Sequence, residues 1–204
     1  MCRASLDEAI RDWDHHGLPY LVSKGRIEEL EKLLSNELDT AVFFHVPPLK
    51  KRFYEAQDLF GVAVTAAFPS ATFEIKEAGN CYALSRNTAC VFHLMRVLEL
   101  GLIALGKVFA VSLAHTNWAP AIEQIESKIR DMHKDPIWKA KPDCKEQQEF
   151  YSQSASHFGV LKDAWRNYTA HARGKYDEQE ALDILENVRG FMQKLATHFS
   201  EQQT

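Results

Sequence analysis

The stretch NCYALSRNTACVFHLMRVLELGLIALGKV, residues 80–108, decides the fold. At about 100° per residue, Leu84, Val91, Leu94, Met95, Leu98, Leu102 and Leu105 project onto one arc, which Phe92 and Ile103 extend. The period predicts one long helix from about Asn80 to Val108, central to whatever packs around it. His93, Arg96 and Glu99 interrupt its apolar character, so it reads as a core helix and not as a charge-free membrane span. Arg96 and Glu99, three apart, are expected to pair. Arg86 and His93, seven apart on one face, look either toward a cleft or into a hydrogen bond within the bundle.

Downstream the chain stays helical. A second helix runs from about Pro120 to His133 and buries Ile122, Ile125 and Ile129, with Pro120 suited to a first turn. Asp135-Pro136 ends it, and residues 135–145 read as a loop. A third helix from about Glu146 to near Tyr168 carries Tyr151, Ala155, Phe158, Leu161 and Trp165 on one face. The fourth starts after Asp177, an N-cap with Glu180 at the capping-box position, and buries Ala181, Leu185, Val188, Met192 and Leu195. Four helices with short connections predict an all-α bundle over residues 79–200.

Residues 1–78 form an N-terminal extension. A short helix is expected over 5–16, capped by Ser5 and Glu8, and an amphipathic one over Lys24 to Asn36 with Ile27, Leu30, Leu33 and Leu34 as its stripe. Ala41-Val42-Phe43-Phe44-His45-Val46 and Ala71-Thr72-Phe73-Glu74-Ile75 read as extended segments that can pair as a two-stranded β element, with a helix from about Leu49 to Ala67 between them. The run Lys50-Lys51-Arg52 reads as a solvated helix start.

With 204 residues the chain can bury a core without disulfide or metal staples. Its net charge of −4 argues against a protein that coats nucleic acid or anionic membrane by bulk charge, and leaves local RNA recognition open. The scattered Cys2, Cys81, Cys90 and Cys144 form no C-x-x-C pair and read as reduced thiols, and the N-terminal residues lack the pattern of an export signal; both imply a cytoplasmic protein. Asp12, Asp14, His15 and His16 read as a solvated tip, so no metal site and no cofactor are expected.

The residues that can carry chemistry lie between the last two helices, in Trp165-Arg166-Asn167-Tyr168-Thr169-Ala170-His171-Ala172-Arg173-Gly174. His171 titrates near neutrality and can serve as general acid or base. Arg166 stays charged and can grip a phosphate with a two-pronged hydrogen bond, and Asn167 can orient either group. Because RNA supplies its own nucleophile, the ribose 2′-OH, an Arg and a His suffice for its cleavage without metal. Lys162, Arg173 and Lys175 add local positive charge for an RNA backbone. The same Arg, Asn and His can instead cap helix ends and tie the two helices together. Arg11 and His16 repeat the spacing in a charged tip with no evident scaffold.

Over roughly residues 79–200 the chain resembles the HEPN family of helical-bundle proteins. The resemblance rests on Arg166-Asn167, three residues and His171 between the last two helices, followed by Asp177-Glu178-Gln179-Glu180-Ala181-Leu182-Asp183-Ile184-Leu185 at the onset of the final one. It implies a HEPN-like four-helix bundle and a metal-independent endoribonuclease with Arg166, Asn167 and His171 as catalytic residues. It also implies a homodimer bringing two motifs into one cleft, a toxin or phage-defence role, and a protein inhibitor or antitoxin as partner. The family has non-catalytic members, so the alternative expectation is a helical interaction or nucleotide-binding module.

Overall fold

The structure, a computed structural model, describes residues 11, 20–113, 118–132, 134–161 and 175–202. The chain divides into two units, 1–45 and 46–204. Within the first lies α1 (Tyr20–Thr40). The second contains a 3-10 helix (Pro48–Phe53), α2 (Val62–Ala67), a 3-10 turn (Pro69–Ala71), α3 (Thr72–Ala83) and α4 (Asn87–Val108). It continues with α5 (Trp118–Met132), α6 (Pro136–Lys139), α7 (Cys144–Leu161) and α8 (Glu178–Ala196). The protein is all-α, with no strand among the described residues. The helix expected over 5–16 lies outside them, apart from Arg11.

The two segments with strand-like composition do not pair. Residues 41–47 have no regular structure, and Thr72 opens a helix. Glu74, Ile75, Ala78 and Tyr82 recur at three- and four-residue steps and bury one face of α3 against α4, and this tertiary burial overrides the β preference of Thr72, Phe73 and Ile75. The helix expected from Leu49 to Ala67 is likewise split. Its first part is the 3-10 helix, and Gly61, with φ of +94°, sits as N-cap of α2 in a conformation that side-chain-bearing residues rarely adopt.

The long helix expected from Asn80 is two helices, broken at Leu84-Ser85-Arg86. Arg86 N–H donates to the Cys81 carbonyl at 2.7 Å and Ser85 N–H to that of Tyr82 at 3.1 Å, with Ser85 left-handed at φ +57°. These are the paired bonds of a Schellman closure with serine where glycine is usual. Leu84 keeps the apolar period going across the break, which is why the pattern concealed it. The far end of α4 closes in the same way: Val111 N–H reaches the Gly106 carbonyl at 2.8 Å, Ala110 N–H that of Lys107 at 3.0 Å, and Ala110 has φ +51°.

Helix α4 is apolar and long enough to cross a bilayer, with mean hydropathy 1.7. Here it is the core: Cys90, Val91, Leu94, Val97, Leu98, Leu102 and Leu105 are buried where α3 and α8 pack on it. Phe92, assigned to that arc by its period, is exposed instead. The three later helices keep the expected buried residues, Ile122, Ile125 and Ile129, then Tyr151, Ala155, Phe158 and Leu161, then Ala181, Leu185, Val188, Met192 and Leu195. Between α5 and α7, Asp135 caps the single turn of α6 by accepting from Ile137 N–H at 2.8 Å.

Residues 46–78 share this core, through Phe53, Phe60, Val64 and Phe68. Gly79 lets the 3-10 helix cross α3, since a Cβ there would stand 2.6 Å from the Phe53 carbonyl oxygen. Beyond α8, Glu201 returns to the same region. Its N–H donates to the Ala67 carbonyl at 3.0 Å, and its carboxylate accepts from Ser70 N–H at 2.9 Å and from the Ser70 hydroxyl.

Candidate functional site

Arg166, Asn167 and His171 lie outside the described residues, as do Lys162 and Arg173; Lys175 is described and exposed. The helices on either side of them are built as the pattern demands. Asp177 accepts from Glu180 N–H at 2.8 Å while Glu180 accepts from Asp177 N–H at 2.9 Å, a reciprocal capping box that starts α8. Leu161, buried, is the last described residue of α7, and the expected continuation of that helix toward Tyr168, with Trp165, lies outside the described residues. Just before α8, buried Tyr176 donates its backbone N–H to the Thr88 hydroxyl at 3.3 Å, which ties the segment to the start of α4.

Between α7 and α8 the helices meet through rings. Phe191 of α8 takes the edge of Phe158 at 4.9 Å and a tilted His157 at 4.3 Å, and farther along Phe150 stacks on His198 at 3.5 Å. Beside these rings opens a cavity of about 420 Å³ lined by Gln153, Ser154, His157, Glu186, Asn187, Gly190, Phe191 and Lys194. Lys194 Nζ donates to Gln153 Oε1 at 3.1 Å and lies 5.9 Å from the centre of the Phe150 ring. Ser154 turns its hydroxyl to the Phe150 carbonyl at 2.8 Å, and Glu186 pairs with Arg189. Partial burial, with the Lys194 charge beside it, holds His157 below the ordinary imidazole range. Its ring therefore carries no charge at neutral pH and can both donate and accept.

A second cluster sits between α3 and α4. Glu74, only 5% exposed, receives His93 Nδ1–H at 2.7 Å and Arg96 Nε–H at 2.6 Å. A carboxylate only accepts, so the bond fixes the proton on Nδ1 and leaves His93 Nε2 as the other ring nitrogen. Burial pushes the Glu74 carboxyl up, but the hydrogen bonds and charges of His93 and Arg96 outweigh it and hold the group below the usual carboxylate range. Arg96 therefore pairs with Glu74 across helices, not with Glu99 along its own. His93 makes the bundle-internal bond, the second of the two possibilities its position allowed.

Lys50 departs furthest from its sequence reading. It is 6% exposed, and its ammonium donates to Glu178 Oε2 at 2.7 Å and Ser85 Oγ at 3.0 Å, with the Tyr82 ring 4.9 Å away. Hydroxyl, carboxylate and ring replace the water that a basic run beside two prolines ordinarily keeps. Ser85 holds the strained left-handed position at the α3–α4 break and places its hydroxyl on this lysine. A cavity of about 640 Å³ opens there, lined mainly by Pro47, Pro48, Leu49, Phe53 and Leu182 around Lys50 and Arg52. Cys90, buried, has its thiol pushed up to about 12 by burial and is inert.

Sequence reasoning missed His157, Asn187 and Lys194. The signal available was a polar stripe, Gln153 and His157 on α7 and Glu186, Gly190 and Lys194 on α8, each at four-residue steps. Such a stripe looks like any solvated helix face until two of them are seen to face each other. No family model, no curated protein and no solved structure matches the chain significantly.

Proposed function

We propose that the chain is a metal-independent endoribonuclease of the HEPN type, a cytoplasmic homodimer acting as a toxin or phage-defence component under the control of a protein inhibitor. What supports this reading is the sequence itself: Arg166-Asn167, three residues and His171, followed by the capping-box start of α8 at Asp177, the pattern on which the family resemblance rests. In one unbroken helix a five-residue step turns about 500°, which leaves the two side chains about 140° apart and roughly 7.5 Å apart along the axis. Convergence then needs either a helix end near Ala170 or a second subunit across a two-fold axis.

In the reaction, His171 takes the proton from the ribose 2′-OH as that oxygen bonds to the adjacent phosphorus. The bond from phosphorus to the 5′-oxygen breaks, and a proton is returned to that oxygen, leaving a 2′,3′-cyclic phosphate and a 5′-hydroxyl. Arg166 neutralises the charge gathering on the non-bridging oxygens, Asn167 orients the reacting groups, and Lys162, Arg173 and Lys175 hold neighbouring phosphates. His171→Ala decides the matter: it is expected to leave the melting temperature unchanged and to lower cleavage by about 10² to 10⁴-fold. Loss of stability with no wild-type cleavage of any RNA tried would replace the enzyme with the second reading, a non-catalytic helical interaction or nucleotide-binding module. The net charge of −4 favours that alternative, because long RNA is usually held by more positive surface.

A further inference from the structure

The cavity between α7 and α8 has three properties that belong together. Its volume, about 420 Å³, falls in the range of small-ligand sites. It holds a cation without a counter-ion: Lys194 meets an amide oxygen and an aromatic ring but has no carboxylate partner among the described residues, while the nearby Glu186 is already paired with Arg189. And Gly190, in the interior of α8, opens directly onto it. Glycine there weakens a helix relative to alanine, yet a Cβ at Gly190 would meet no atom within 4 Å, so internal packing does not require it. Gly159 on α7 has the same freedom without lining this cavity, so the glycine is informative only together with the space it leaves.

We propose that this cavity is a nucleotide subsite, seating one base and its phosphate from a single-stranded RNA. The inference rests on the reading of the chain as an RNA-cleaving enzyme and names where that RNA is held. Lys194 takes the phosphate as a point charge. The base lies against the exposed His157 ring, which the buried Phe191 backs, and since every base has a π-face to offer, selectivity by stacking is low. Gln153 is engaged at both ends of its amide, by Lys194 and by Glu149, so discrimination falls to Asn187, whose Nδ2 donates to the Asp183 carbonyl at 2.7 Å and whose Oδ1 accepts from the base edge. Glu186 and Lys194 stand 8 and 16 residues from the start of α8, about 12 and 24 Å along the helix. None of the lining residues belongs to the Arg166-to-His171 motif, so the subsite acts on RNA affinity and not on the chemical step.

Gly190→Met fills the cavity from a position where added atoms meet nothing, and Lys194→Gln removes the cation. Both are placed in the His171→Ala chain for binding, followed by fluorescence anisotropy of a labelled short single-stranded RNA, and in the otherwise unaltered chain for kinetics. Each is expected to weaken binding by about tenfold, within the range that one stacked base supplies, and to raise KM with kcat unchanged. Melting temperature should hold or rise for Gly190→Met, since methionine favours a helix interior. Affinity and KM equal to the parent's in both variants overturn the subsite while His171-dependent cleavage leaves the enzyme reading intact. A change of sedimentation in the variants also overturns it, by assigning the cavity to a contact between two copies of the chain. If the unaltered protein neither binds nor cuts RNA, both readings fall.

Discussion

Helices α1 and α4 are nearly the same length, 21 and 22 residues, and both are marked in the sequence by apolar residues at helical spacing. In α4 those residues are fully enclosed, with Leu94, Leu98, Leu102 and Leu105 all at zero exposure. In α1, of the expected stripe, Ile27, Leu33 and Leu34 are 57%, 39% and 48% exposed and Leu30 is half-buried. Periodicity thus identifies a helix and the face it would bury, but says nothing about whether a neighbour exists to bury it. Helix α4 is stabilised by packing within its unit, and on α1 the described side chains include the i,i+4 pair of Lys24 with Glu28 at 3.8 Å.

That contrast can be broken most forcefully in the core. Leu98→Ala removes a side chain with no route to solvent and should destabilise by about 2–5 kcal/mol, read as a shift in the urea midpoint. Next comes the polar seam of the α3–α4 pair. Glu74→Gln leaves His93 and Arg96 without their carboxylate and should cost about 1–3 kcal/mol at neutral pH. Because the folded-state carboxyl titrates below its ordinary value, its contribution is complete above about pH 4.5 and fades as pH falls through the folded-state value. Urea titrations of wild type and Glu74→Gln should therefore converge on acidification, and a gap that widens instead would show that Glu74 is held for another reason.

Smaller effects sharpen the comparison. Ala110→Gly relieves a left-handed residue at the α4 closure and should stabilise by roughly 0.5–1 kcal/mol. A loss of stability there would mean that the Ala110 methyl packs better than its backbone suffers. Leu34→Ala in α1, at a side chain 48% exposed, should move stability by no more than about 0.5 kcal/mol in the same urea titrations. A core-sized effect at that position would place α1 among the structural helices and end the contrast.

The helices of the bundle were legible because burial, caps and period agreed: Asp177 and Glu180 announced α8 by chemistry that the reciprocal hydrogen bonds then display. The errors arose where local preference and tertiary packing disagree. Thr72, Phe73 and Ile75 prefer strands and form a helix because Glu74, Ala78 and Tyr82 have α4 to meet. Ser85 breaks a run whose period never falters, and Lys50 is enclosed by residues 35 and 128 positions away in the chain, which no local window contains. As for the site, Arg166 and His171 could be singled out by residue type and position, whereas Lys194 and His157 acquire meaning only from facing each other across two helices.

The return of Glu201 to Ala67 and Ser70 sets an order of events during synthesis. Phe68 likewise waits for Phe199, whose ring lies 5.8 Å from its own. A ribosome adding about 5–20 residues per second needs roughly 7–26 s to make the 131 residues between Phe68 and Phe199. Throughout that interval Phe60 and Phe68, sealed in the finished protein, lack the element that covers them, since Gln193 of α8 also supplies the bond to the Phe60 carbonyl. The nascent chain therefore exposes a sticky aromatic surface about a third of the way along its length until translation is nearly complete, and holdase chaperones have their longest opportunity there.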